Sequence, residues 1–250
     1  MHVNPLAARA FDAAAEDYER GRPGWPEDAV ASLLDRFSAR RVLDLAAGTG
    51  KLTRVLAELA DDVVAVEPLD GMRHVLEARL PHVRALAGTA EAIPLADGSV
   101  DAVFVGQAFH WFDSVRAAAE LARVLRPGGG LVLMWNRPGW ERAEWIDELD
   151  AIVERHDQGE PRFERAPWRE GLEADGRFDT LRDEEASHEQ LTDREGLIAK
   201  IASFSYIGGQ PDDRRAAALA ECRAVLERHD IDEVTLTYKT LITTAQRIDG

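Results

Sequence analysis

Between residues 41 and 136 short apolar runs alternate with stretches of helical periodicity. RVLDLA at 41–46 leads into a glycine turn. Leu52, Val55, Leu56 and Leu59 then recur at i, i+3, i+4 and i+7, the stripe of an amphipathic helix. DVVAVE at 62–67 precedes a second stripe of Met72, Val75, Leu76 and Leu80. VRALAG at 83–88 and VDAVFVGQ at 100–107 are the third and fourth runs. Ala118, Leu121, Ala122 and Leu125 form the next stripe. It predicts a helix that ends at PGGG, 127–130, because proline and glycine both stop helices. LVLMWN at 131–136 is the last run. Strands without polar alternation need apolar cover on both faces, which a parallel sheet flanked by helices provides. Successive strand–helix units therefore predict an α/β, Rossmann-like doubly wound sheet.

The flanks are less regular. Val30, Leu33, Leu34 and Phe37 predict a helix before the first strand, with Pro26 near its start, and another helix is expected over residues 5–19. After residue 137 the helical pattern covers 141–156, loosens through 157–176, and returns at 192–205 and 212–228. Residues 178–190 carry a weak strand signal. EVTLTYKTLITTAQRI at 233–248, rich in Thr and Ile, reads as a strand. Its in/out alternation slips near Thr240–Leu241, where a bulge is expected.

Charge narrows the partners. The 250 residues carry 46 Asp plus Glu against 30 Lys plus Arg, a formal charge of −16. A nucleic-acid complex usually needs a basic face that displaces phosphate counterions. Here 27 Arg and 3 Lys are interleaved with acids, as in DRRAAALAECRAVLERHD at 213–230, the pattern of an ion-paired helix surface. Neither nucleic acid nor an anionic membrane is expected as the main partner. No apolar run reaches the roughly 18 residues of a membrane span. Asp12, Glu16 and Asp17 interrupt the stretch a signal peptide would need. Cys222 is the sole cysteine, and no Cys/His cluster has metal-ligand spacing, so neither an intrachain disulfide nor a metal is expected. The expected compartment is cytoplasmic.

The glycine turn DLAAGTGKLT, 44–53, stands where open α/β sheets bind ligands, beyond the carboxyl end of a strand. Gly48 and Gly50 allow close backbone approach, and the helix that follows offers unpaired N–H groups. Leu45 and Leu52 stand where a P-loop requires glycine and a hydroxyl residue. Read as a dinucleotide fingerprint, GTGKLT places Thr53 where the third glycine belongs. Asp44 would repel a pyrophosphate but accepts hydrogen bonds from an ammonium group. Glu67, at the end of the second run, suits the two hydroxyls of an unphosphorylated ribose. A phosphate-free nucleoside carrying an amino-acid zwitterion meets these demands, and S-adenosylmethionine is such a molecule.

With these motifs in order, residues 40–136 resemble the class I S-adenosylmethionine-dependent methyltransferases, particularly the small-molecule subgroup called methyltransferase type 11. The segment YERGRPGWP, 18–26, is similar to the Tyr…Arg-Pro-aromatic-Pro segment of methyltransferases related to the trans-aconitate type. The resemblance implies a seven-stranded mixed sheet with an antiparallel last strand. Residues 1–39 would then form part of a helical cap, and 40–137 the cofactor-binding core. Residues 138–232 would be a cap and substrate region, and 233–250 the final strand.

The same resemblance places Asp44, Ala46, Gly48 and Gly50 along the methionine half of the cofactor. It gives Glu67 the ribose hydroxyls and puts Pro68, Leu69 and Met72 on the adenine side. Thr89 and Ala90 would meet the adenine edge, and Gln107 would border the sulfonium. The family often has glycine where Ala46 stands, which is tolerable provided the backbone there is not left-handed. It often has an acid or amide where Thr89 stands, so that contact is weaker or supplied elsewhere. His110 is either a base, an acceptor-binding group or a structural histidine. Tyr18, Arg22 and Trp25 either close over the cofactor, anchor the acceptor as part of its pocket, or cap and pack the leading helices. Trp111, Trp135, Asn136 and Arg137 are candidates for the acceptor pocket, Trp135 as wall, and Arg22 with Arg137 could clamp an acceptor carboxylate.

The activity implied is methyl transfer to a small organic molecule, with oxygen the first choice of accepting atom and nitrogen or carbon the alternatives. Alignment does most of such work, and a base is needed only for a protonated acceptor. The competing expectations are a protein that binds S-adenosylmethionine without methyl transfer and a nicotinamide-dependent dehydrogenase. Asp44 and the missing third glycine disfavour the latter.

Overall fold

A computed structural model of the chain describes residues 15–156 and 168–248. Helices α1 (Ala15–Gly21) and α2 (Glu27–Arg36) lead into β1 (Arg41–Leu45). There follow α3 (Lys51–Leu59), β2 (Asp62–Val66), α4 (Asp70–Arg79), β3 (Arg84–Leu86), β4 (Val100–Gly106), α5 (Ser114–Val124) and β5 (Leu125–Pro138). The second half comprises α6 (Glu144–Glu154), α7 (Trp168–Asp175), β6 (Arg182–Asp193), α8 (Arg194–Ala202), the single turn α9 (Ser205–Gly208), α10 (Asp212–Arg228) and β7 (Glu233–Gln246).

The seven strands form one sheet in the order β3-β2-β1-β4-β5-β7-β6. Strands β1 to β5 pair in parallel, and β7 runs antiparallel to both β5 and β6. The period-2 geometry of a strand sends successive side chains to opposite faces. Val42, Phe104, Val132 and Met134 accordingly join one buried cluster with Val30, Leu33 and Leu56 from the helices. Leu43, Val103, Val105, Leu131 and Leu133 join another with Leu121 and Ala117 of α5. Both faces are dry, which is why these strands read as unbroken apolar runs. A third cluster unites α6, α8 and α10 through Leu149, Ile152, Leu197, Ile201, Val225 and Leu226 with Leu236 and Tyr238 of β7. The order reverses between β1 and β4, so the crevice at their carboxyl ends is the switch point.

Several elements differ from expectation. Helix α5 stops at Val124 rather than at the glycines, and strand β5 already begins at Leu125. Arg126 precedes Pro127, and the residue before proline disfavours the helical region. Leu125 pairs with Val100 instead. The bulge expected near Thr240–Leu241 is absent: β7 keeps continuous register with β5 and β6 throughout. The alternation fades there because residues 242–245 are all buried, not because a residue is extra. A register shift occurs between β4 and β5 instead: Val100 pairs with Leu125 but Ala102 with Gly130, so the extra residues lie on β5. The weak strand at 178–190 is β6, displaced to 182–193, and the loose stretch contains α7. Of the helix expected over 5–19, residues before 15 lie outside the described residues, as do 157–167.

Among the described residues no helix is long and apolar enough to cross a membrane. Helix α1 is held against α8 by close backbone approach. A Cβ built on Gly21 would lie 2.0 Å from the Lys200 backbone nitrogen. Gly21→Ala therefore forces the two helices apart, with an expected loss of about 1–3 kcal/mol in urea unfolding. An unchanged unfolding midpoint would show that this contact does not set the position of α1.

Candidate functional site

Four of the expected residues converge on the loop after β1. The backbone turns left-handed at Ala46 (φ 58°), Gly48 (φ 58°) and Gly50 (φ 88°), and α3 starts immediately after. Ala46 thus fails the condition attached to it: its φ is in the region that favours glycine, and alanine there costs about 1–2 kcal/mol. Gln107, at the end of the adjacent strand β4, is also left-handed (φ 58°). Strained residues end both strands that flank the switch point, a placement associated with functional sites.

Glu67 ties the crevice together. Its carboxylate accepts from the Gly48 N–H at 2.8 Å and from the Leu69 N–H at 2.9 Å, so one side chain spans the glycine turn and the start of α4. It is 4% exposed. Leu69 caps α4, Pro68 is half-buried and Met72 is buried. Asp44 lies beneath the turn at 1% exposure and accepts from the Thr53 hydroxyl at 2.6 Å. Burial pushes its pKa up to about 7 against the Thr53 hydrogen bond, and the Glu67 charge adds to the rise. Thr53, read from sequence as a missing glycine, is the hydroxyl that keeps Asp44 satisfied.

Sequence reasoning missed Glu19. This α1 carboxylate is buried, accepts from Thr49 Oγ1 at 2.7 Å, and lies within 3.5–3.8 Å of Lys51, Arg54 and Arg79. It pins α1 onto the glycine turn. The one signal available was its position inside YERGRPGWP. Tyr18, one residue earlier, is raised in pKa by burial, with Arg22 opposing and Glu67, Glu19 and Asp44 reinforcing.

The leading segment crosses the switch point on the face of Met134 and Phe104. Trp25 covers Gly106, where an added Cβ would meet the indole at 2.6 Å. Asn136 donates to the Gly24 carbonyl at 2.8 Å and accepts from Thr240 Oγ1 at 2.6 Å, while its own carbonyl accepts from Gln107 Nε2 at 2.9 Å. Arg22 donates to the hydroxyl and carbonyl of Ser203.

Trp135 points to the opposite face, 1% exposed, packed on Trp168 at a centroid distance of 4.8 Å. Its indole N–H donates to His110 Nδ1 at 3.4 Å. The neutral imidazole therefore carries its proton on Nε2. Burial lowers the His110 pKa to about 4, so the ring is a poor base. Trp111 lies beside it, ring centroids 5.2 Å apart. Arg137 is exposed, in register with Lys239. Thr89 is half-buried and bridges to Ala92, and the Ala90 side chain is in the core.

A Cβ on Gly48 would meet no atom within 4 Å, so the turn borders open space. Two carboxylates beside an exposed backbone turn fit a phosphate-free nucleoside with an ammonium-bearing tail.

Comparison with known proteins agrees. A methyltransferase domain model matches residues 43–133. An uncharacterized methyltransferase of Mycobacterium tuberculosis is 46% identical over 220 residues, covering 88% of this chain and 86% of the relative. An uncharacterized methyltransferase-like protein of Schizosaccharomyces pombe is 32% identical over 247 residues, covering 96% of each. A provisionally named type II methyltransferase from Anaeromyxobacter dehalogenans has a similar structure, with TM-score 0.66 and 24% identity over 92% of this chain and 99% of that one. The chain belongs to the class I S-adenosylmethionine-dependent methyltransferases.

Two outcomes follow from the strain and the buried acid. Ala46→Gly is expected to raise stability by about 0.5–1 kcal/mol in urea unfolding, and a loss would contradict the left-handed assignment. Asp44 has a folded pKa near 7 against about 3.9 unfolded, so its bound proton favours the folded state. That contribution is complete below pH ~4 and disappears as pH rises through about 7. Asp44→Asn should remove this part of the decline, up to about 4 kcal/mol across the window. Parallel stability–pH curves for the two proteins would exclude it.

Proposed function

We propose that the chain transfers a methyl group from S-adenosylmethionine to an oxygen atom of a small organic molecule. The observation that carries this reading is Glu67, whose carboxylate bridges Gly48 and Leu69 at the carboxyl edge of β2. Each carboxylate oxygen has more than one lone pair, so the same group keeps acceptor capacity for two vicinal hydroxyls. Pro68, Leu69 and Met72 flank it as an apolar wall for the adenine, with Thr89 and the Ala90 backbone at the base edge. Asp44, Ala46, Gly48 and Gly50 take the methionine half. Gln107, fixed on Asn136, borders the reacting end.

The cofactor supplies an electrophilic methyl group whose leaving group is neutral. The protein's contribution is orientation and exclusion of water, which in favourable cases is worth ~7–11 kcal/mol. Trp25 shields the β4 end of the crevice, and the Asn136–Gly24 hydrogen bond holds it there. In this reading His110 is not the base, because Trp135 engages its Nδ1 and burial pushes its pKa down to about 4. Without it, the reading favours an acceptor oxygen already unprotonated at neutral pH. Trp111 and Arg137 stand at the same strand ends as candidate acceptor contacts.

Two measurements test the reading. Glu67→Ala should weaken S-adenosylhomocysteine binding about 10- to 150-fold by calorimetry, the equivalent of about 1.5–3 kcal/mol for a charged hydrogen bond. Unchanged affinity removes Glu67 from the site. Incubation of the wild-type protein with methyl-labelled donor and a metabolite pool should yield labelled product, whereas donor binding without any turnover would identify a binding protein.

A further inference from the structure

Lys200 and Arg22 are exceptional among the cations of this acidic chain. Most other buried or half-buried cations sit against carboxylates, as Lys51 on Glu19, Arg123 on Glu120 and Asp97, and Arg215 on Asp17, whereas Arg247 lies on the Leu125 carbonyl. No described carboxylate comes within 4.0 Å of the Lys200 ammonium or the Arg22 guanidinium. Lys200 Nζ donates to the Tyr238 hydroxyl at 2.7 Å and lies 4.2 Å from the Trp140 ring centroid and 4.8 Å from that of Tyr238. One of its three donors is thereby used. Arg22 spends two of its five donors on Ser203, with its carbon 4.8 Å from the Phe204 ring centroid and 5.3 Å from that of Tyr18.

The two cations occupy one neighbourhood. Gly21, adjacent to Arg22, abuts the Lys200 backbone. Tyr238 is in register with Pro138, the last residue of β5, and so stands at the same sheet edge as Gln107 and Asn136. The guanidinium acts electrostatically on both Lys200 and Tyr238. Two like charges in an aromatic-walled, partly desolvated setting repel, and among the described residues only Asp150, beyond ion-pair distance, offsets the charge on Lys200.

We infer that Lys200 and Arg22 bind a carboxylate group of the methyl acceptor, which makes the substrate a small organic acid. The inference rests on the proposed methyl transfer for the word acceptor, though not for the anion site itself. A carboxylate fits because it can take the spare guanidinium donors and the ammonium together. It also supplies the charge that this corner lacks. The groups facing Lys200 are Arg22 from the end of α1, Asp150 from α6, Tyr238 from β7 and, stacked on Tyr238, His188 from β6. Burial, with Arg22 next, lowers the Lys200 pKa to about 7, and Asp150 opposes this. An anion bound there restores the ammonium and takes up a proton near neutral pH.

The chain has three lysines, so protein labelled with 13C at lysine Cε gives three signals, and Lys200→Arg assigns the one of interest. The full chain is titrated from pH 5 to 10 in sodium chloride and in sodium acetate of equal ionic strength. The expected result is a Lys200 midpoint at least about one unit higher in acetate, with Lys51 and Lys239 unmoved, because an opposite charge at contact distance shifts a pKa by about 1–3 units. Arg22→Gln should reduce that shift by half or more. Equal Lys200 midpoints in the two salts, or an equal rise at exposed Lys239, would overturn the site. In a second arm, labelled methyl donor is offered with metabolite pools sorted by charge. Product should come from the acidic pool. Lys200→Gln should raise the acceptor KM by more than it lowers kcat, with partial rescue in Lys200→Arg. Product from the neutral pool alone would overturn the substrate class. Transfer to no pool, with the acetate shift intact, would sink methyl transfer and leave the anion site standing.

Discussion

The geometry of the crevice depends on one carboxylate. Glu67 accepts two backbone N–H groups that belong to different loops, one after β1 and one after β2. Hydrogen bonds to charged groups are worth about 1.5–3 kcal/mol each, enough to offset the strain of the left-handed residues nearby. Without that bridge the glycine turn has no reason to stay open toward solvent rather than collapse onto β2. Asp44 adds a second acidic wall underneath, satisfied by Thr53. On the proposed reading, these two acids favour hydroxyl and ammonium donors over phosphate, which suits a Rossmann-like sheet to a sulfonium nucleoside instead of a dinucleotide.

The leading segment also positions a second region, at the same sheet edge. Glu19 anchors α1 to the glycine turn, Gly21 lets it pack on α8, and Asn136 holds the following segment across β4 and β5. The donor crevice and the region of Arg22, Lys200 and Tyr238 are therefore positioned by the same short stretch of chain. A substitution that loosens α1 acts on both.

How much of this was legible in the sequence follows from where the signals are local. Strands β1, β2, β4 and β5 are apolar without alternation because both faces are covered, and the helices between them carry clear stripes. The glycine turn and Glu67 were readable because strand, turn and acidic residue fall at fixed spacing. Strand β6 was poorly readable: RDEEASHEQLTD is a largely exposed edge strand with only Ala186 and Leu191 apolar, and it forms because β7 pairs with it along its whole length. The premature end of α5 needed the pairing of Leu125 with Val100, a partner 25 residues away. Around the leading segment, the contacts Arg22–Ser203, Asn136–Gly24 and Lys200–Tyr238 join residues 38 to 181 apart in sequence, and no periodicity announces them.

In the proposed reading the methyl donor occupies the space bounded by Asp44, Gly48 and Glu67. A crystal structure of the chain grown with S-adenosylhomocysteine shows whether it does. Ribose hydroxyls are expected within hydrogen-bond distance of Glu67, with the amino-acid tail over the turn at residues 46–50. Density for the ligand elsewhere, with this crevice closed or filled by solvent, would contradict it.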